Sequence, residues 1–178
     1  MKKHTLLIAL ILIVSFHHIH GLQIYPGNHT YGKEIVESIR ENGTVTLENT
    51  RVQGLVDVNG SLKATGATIN SLQVNGLVDL QNCLITNTAM INGSLSATNT
   101  KFQKELSVSS KKIVFNQCTL TSLTLREVSG DTGPQIIDLR NTEVTGKISV
   151  ESGNGEVWIS SKSEISKRQI SGARVWRK

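Results

Sequence analysis

Apolar and polar residues alternate along this chain in a short phrase that returns, with variation, from residue 45 to residue 165. It reads VTLENTRV from Val45, LKATGATI from Leu62, VDLQNCLI from Val78, LSATNTKF from Leu95, IVFNQCTL from Ile113 and IDLRNTEV from Ile137, with a degraded copy, VWISSKSEI, from Val157. Successive starts lie 17, 16, 17, 18, 24 and 20 residues apart. Alternation with a period of two predicts β-strand, with the first and third letters facing inward. A second alternating segment follows each phrase, offering Val56 and Val58, Leu72 and Val74, Leu106 and Val108, Leu123 and Leu125, and Ile148 and Val150 as further inward positions. Asn59-Gly60, Asn75-Gly76 and Asn92-Gly93 close three of these segments, and Asn-Gly readily supplies the positive φ of a tight corner.

A period this short cannot be a helix pair, and the spacing is not that of a leucine-rich repeat. It predicts an all-β, single-stranded β-solenoid over residues 43–165, with about seven coils of roughly 17 residues stacked in parallel so that like residues lie over like. Leu47, Ala64, Leu80, Ala97, Phe115 and Leu139 should then form one internal file. The sixth letter forms a small-residue column of Thr50, Ala67, Cys83, Thr100, Cys118, Thr142 and Ser163. The fifth, with Asn49, Asn82, Asn99 and Asn141, offers either an amide ladder or a set of independent turns. Ahead of the repeats, residues 22–42 are expected to be an irregular stretch ending in a short cap helix over KEIVESIREN, where Ile35, Val36 and Ile39 can share a helical face, with an irregular first strand as the alternative. Residues 166–178 are expected to be a basic tail.

The small residue two places before an apolar one resembles a single face of a pentapeptide-repeat protein. The coil length, glycine corners and aliphatic columns of residues 43–165 more closely resemble the bactofilin-like, polymer-forming β-solenoids. That resemblance implies a right-handed core that joins end to end into filaments without nucleotide. The leader and the basic, Trp-containing end depart from the family's pattern.

The leader, residues 1–21, has Lys2 and Lys3 ahead of an apolar run from Leu6 to Phe16, which predicts a secretory signal and an exported protein at the cell envelope or beyond it. The run falls short of the ~20 residues that span a bilayer. His17, His18 and His20 lie at its exit, so no metal site is expected there. Removing the leader takes two lysines and lowers the formal charge from +5 to +3. The remaining excess gathers at the far end, in Lys162, Lys167, Arg168, Arg174, Arg177 and Lys178 against Glu164. A basic patch can meet an anionic surface. Export and the lack of interleaved aromatics argue against nucleic acid.

Cys83 and Cys118 share a phrase position two coils apart, about 9.6 Å at strand spacing, beyond the ~6.8 Å limit of a disulfide. Two buried free thiols are predicted. The sequons at Asn28, Asn42, Asn59 and Asn92 read as turn chemistry rather than glycan acceptors. Asp57, Asp79, Asp131 and Asp138 are scattered, His29 is the one histidine outside the leader, and no glycine-rich loop precedes a helix. No enzyme activity, cofactor or metal is therefore expected. Thr is plentiful, but no outward position is Thr in every coil, which sets ice binding aside. The expected role is a structural or interaction module, self-associating through its ends or meeting an envelope protein, a glycan or an anionic surface; the alternative is a polysaccharide-binding or polysaccharide-degrading β-helix. Insertions at 126–135 and 151–156, with Trp158, Lys167, Arg168, Arg174, Trp176 and Arg177 nearby, mark the expected partner-binding surface.

Overall fold

The computed structural model describes residues 26–130 and 132–178. The expected signal segment and its histidines lie outside the described residues, as does Asp131. Each coil runs along three faces. The first is built by β1 (Pro26–Tyr31), the ends of β3 (Ile39–Glu48), β4 (Arg51–Thr65), β5 (Thr68–Gln81) and β7 (Ala89–Thr98), then β9 (Lys112–Asn116), β11 (Gln135–Arg140), β14 (Gly155–Ile159) and β16 (Ala173–Arg177). The second face carries β2 (Ile35–Val36), β6 (Leu84–Ile85), β12 (Glu143–Val144) and the starts of β4, β5, β8 (Lys101–Ser109) and β10 (Thr119–Arg126). The third carries the ends of β8 and β10, the interior of β4 and β5, the starts of β3 and β7, and β13 (Ile148–Val150) and β15 (Ile170–Ser171).

All pairings between these strands are parallel, and the register follows the phrase. Leu47, Ala64, Leu80, Ala97, Phe115 and Leu139 pile in a single file, which Ile159 continues. Each of these side chains is essentially sealed from solvent. Large and small residues alternate along much of the file, so a bulky neighbour fills the space an alanine leaves. Phe115 follows Ala97 in this way and meets Phe102 of the adjoining file edge to face, with ring centroids 6.1 Å apart. Burying such side chains supplies about 1.5–3 kcal/mol each, and the rod's cohesion comes from these files.

The corners explain the recurring letters of the phrase. Asn49, Asn82, Asn99, Gln117 and Asn141 all adopt left-handed backbone with φ between 47° and 56°, and Gly66 joins them at 65°. They turn the chain from the first face to the second. Only Asn99 donates to the Asn below it there, Nδ2 to Asn82 Oδ1 at 2.7 Å. A longer amide ladder stands at the corner between the third and first faces. Asn59 donates to Asn42 at 3.0 Å, Asn75 to Asn59 at 2.7 Å and Asn92 to Asn75 at 2.6 Å. The glycine beside each of these Asn lies under the carbonyl of the glycine one coil earlier; at Gly76 a Cβ would sit 1.8 Å from Gly60 O. Three of the four sequon asparagines, Asn42, Asn59 and Asn92, are members of this ladder.

Both flanks of the expected solenoid prove to belong to it, giving about nine coils rather than seven. The segment expected to be a cap helix is instead β2 and the start of β3, with Ile39 and Glu41 paired to Val56 and Val58. The charge of Glu41 breaks what is otherwise a strand alternation, and the helical spacing of Ile35, Val36 and Ile39 is coincidental. The residues expected to be a tail form a short 3-10 turn, Lys167–Gln169, then β15 and β16, whose Val175 lies in the file of Val157.

Candidate functional site

Three places concentrate chemistry on this rod: its two ends, and the corner where the insertions project. At the first end Glu41 occupies an inward file otherwise filled by Val58, Val74, Ile91, Val108 and Leu125, and is only 7% exposed. An unpaired carboxylate there would be costly. Tyr31 Oη donates to it at 3.0 Å, and His29 Nδ1 lies 2.9 Å from the same oxygen. The two rings stack with centroids 5.0 Å apart. Burial, followed by the hydrogen bond to Glu41, pushes the Tyr31 phenol up to about 12. A polar cluster thus covers the apolar files. Sequence reasoning missed it, although the alignment of Glu41-Asn42-Gly43 with Val58-Asn59-Gly60 carried the signal.

At the opposite end Arg177 stands in the file of Leu139 and Ile159, and its guanidinium donates to Ile165 O at 3.2 Å. Trp176 pairs in register with Trp158; the rings stack at 5.7 Å and 24°. Lys178 Nζ lies 4.7 Å from the Trp158 centroid, a cation–π distance. Trp158 Nε1 donates to Glu156 at 3.2 Å, and Arg174 lies one strand over from Glu156. One strand the other way, Asp138 holds Arg140 through two hydrogen bonds of 3.0 and 2.7 Å, which raise the Arg140 pKa. Of the expected surface residues, the fold brings Trp158, Trp176 and Arg174 onto one face. Arg177 projects from the other side of the same strand, and Arg168 sits exposed on the preceding turn, which begins at Lys167.

The insertions meet at one corner. Asn154 Nδ2 donates to Thr132 O at 3.2 Å and the Gln135 backbone N–H to Asn154 O at 3.0 Å. Between the loops is a cavity of about 320 Å³ lined by Glu127, Val128, Thr132, Gly133, Gln135, Ser152 and Asn154. Gln135 fills the corner where the Asn-Gly ladder stops, donating to Ser110 O at 3.0 Å and Arg126 O at 2.7 Å. Arg126 in turn caps the ladder, reaching Asn92 Oδ1 at 2.5 Å and Ile91 O at 3.2 Å.

The acidic residues weighed for catalysis stand on separate ledges. Asp57 pairs with Arg40 at 3.3 Å, Asp79 accepts from Gln81 at 3.4 Å, and Asp138 is held by Arg140. Among the described residues no three of His, Cys, Asp and Glu gather as a metal site. Cys83 and Cys118 are free and buried, each donating to backbone carbonyls, and burial raises both thiol pKa values.

Fold and register together define a parallel β-solenoid whose chemistry lies at its ends and one corner. No family model, curated protein or solved structure matches the chain.

Proposed function

We propose that the protein is an exported structural rod that assembles end to end, working by contact rather than by catalysis. The observation that carries this reading is the pair of unpaired, oppositely charged ends. Strands β1 and β16 terminate the sheet of the first face, and each has a strand partner on one side only. An open strand edge is a template for another strand. The first two coils contain Glu34, Glu37, Glu41, Glu48 and Asp57 against Lys33, Arg40 and Arg51, while residues 162–178 carry six lysines and arginines with Glu164 alone. Opposite charges steer head-to-tail encounter and oppose head-to-head encounter.

Continuing the internal register across the junction would set Thr30 against Trp176, Asn28 against Arg174 and Tyr31 against Arg177, so that the aromatic ring receives a cation. The resemblance to bactofilin-like solenoids supports the same mode of joining. Sedimentation velocity of the mature chain tests it. Oligomers growing with concentration at low salt and shrinking at high salt are expected, and Thr30→Pro, which puts a proline on the β1 edge, should reduce them. A monomer at every salt and concentration would overturn the reading.

A further inference from the structure

Two buried polar atoms on this molecule lack a partner among the described residues, Gln135 Oε1 and Arg126 Nε, and both belong to the corner beneath the inserted loops. The orientation of the Gln135 amide is fixed by its neighbours: Nε2 spends its hydrogens on two carbonyls, Ser110 O and Arg126 O, so the orphaned atom is an acceptor. Gln135 is only 4% exposed and is part of the wall of the interloop cavity. The remaining wall mixes apolar surface with polar groups from Glu127, Thr132, Ser152 and Asn154. The volume falls at the small end of ligand pockets. Of the two orphaned atoms only Gln135 Oε1 belongs to a residue of the cavity wall, and an acceptor left open there matches a ligand hydroxyl, which can donate to it.

The strand leaving this corner adds an aromatic. From Asn154 at the cavity rim, β14 carries Glu156 and then Trp158 outward, roughly 13 Å along the strand from Asn154, with Trp176 stacked beside it. A pocket lined by several hydrogen-bonding groups, with a pair of indoles farther along the same ledge, suits an elongated ligand that presents hydroxyls at its edges and C–H faces to aromatic rings. We infer that this corner binds carbohydrate, seating one pyranose between Glu127, Val128, Thr132 and Gly133 on one side and Ser152 and Asn154 on the other, and running a chain of sugars along β14 toward Trp158. None of the residues lining the interloop cavity belongs to β1 or β16, so the inference does not rest on end-to-end joining; an assembled rod would display one such cavity per copy.

Cellohexaose, chitohexaose and mannohexaose are the probes, titrated separately to about 5 mM by calorimetry and by tryptophan emission. Binding of at least one, with a change in tryptophan emission, is expected. Thr132→Val and Ser152→Ala lie in exposed or half-buried loop positions and should weaken it about tenfold when combined, with unchanged thermal melting. Gln135→Leu should abolish it, but the loop pair carries the test if that variant does not fold. No binding by any of the three, as when water alone satisfies the orphaned atoms, would overturn the inference. So would binding that the loop substitutions leave intact.

Discussion

At the scale of single residues the rod is unforgiving inward and tolerant outward. Leu80 is fully buried between Ala64 and Ala97, whereas Gln81 beside it is exposed. Leu80→Asp would bury an unpaired charge and should cost more than about 4 kcal/mol, while Gln81→Ala should stay within about 0.5 kcal/mol; urea melts of the two variants measure the difference. Gly76→Ala should cost about 2 kcal/mol or more despite adding one methyl group, because the position has φ of 145° and the methyl would meet Gly60 O. The two thiols, buried and with raised pKa, should react with alkylating reagents only on unfolding, and the protein should migrate identically with and without reductant. Tyr31 gives a pH signature. Its phenol stays protonated in the fold to about pH 12, while an unfolded tyrosine ionises near 10. The folded chain therefore holds more protons between those values, and stability, unaffected by this group below pH 10, falls as pH rises toward 12. Tyr31→Phe should remove that decline in alkaline denaturation.

Among the elements, those with the phrase were legible and those that modify it were not. Alternation identified the strands from Val45 to Ile159 and their register, because every inward letter must be apolar when it lies over an apolar neighbour. The first coil escaped this logic because, beside Val36 and Ile39, three of its inward positions are His29, Tyr31 and Glu41, polar residues that satisfy one another at an end of the stack. The last coil escaped for a related reason: Val175 keeps the pattern, but Arg174, Arg177 and Lys178 gave it the composition of a tail. At the fifth letter the amide stack is confined to Asn82 and Asn99, most of the equivalents serving their own turns, and the longer ladder stands at the Asn-Gly corner. Left-handed geometry at Asn49 and its equivalents uses asparagine for its backbone, while at the other corner glycine takes the strained position and frees the asparagine side chain to stack. Of the expected surface residues, pattern could place the two Trp one over the other only once the last coil was recognised. The orphaned acceptor of Gln135 required the folded loops. An element-scale consequence follows for the last coil. Deleting residues 166–178 would uncover Val157 and Ile159, both fully buried, and the truncated chain should aggregate under conditions where the intact one stays dispersed.

For the molecule as a whole, parallel stacking makes one end chemically unlike the other, and a polar rod can only repeat head to tail if it is to keep its register. About nine coils give a body roughly 40 Å long, too long for residues of its two ends to meet within one chain. Asn28 and Arg174 are both exposed and occupy the same file at opposite ends. The most direct measurement is therefore oxidative cross-linking of a chain carrying Asn28→Cys and Arg174→Cys, with Cys83 and Cys118 replaced by alanine. End-to-end assembly in register predicts a ladder of disulfide-linked multimers on a non-reducing gel, collapsing to dimers at most when either new cysteine is omitted. A chain that remains monomeric under oxidation, with both thiols still titratable, would contradict the account.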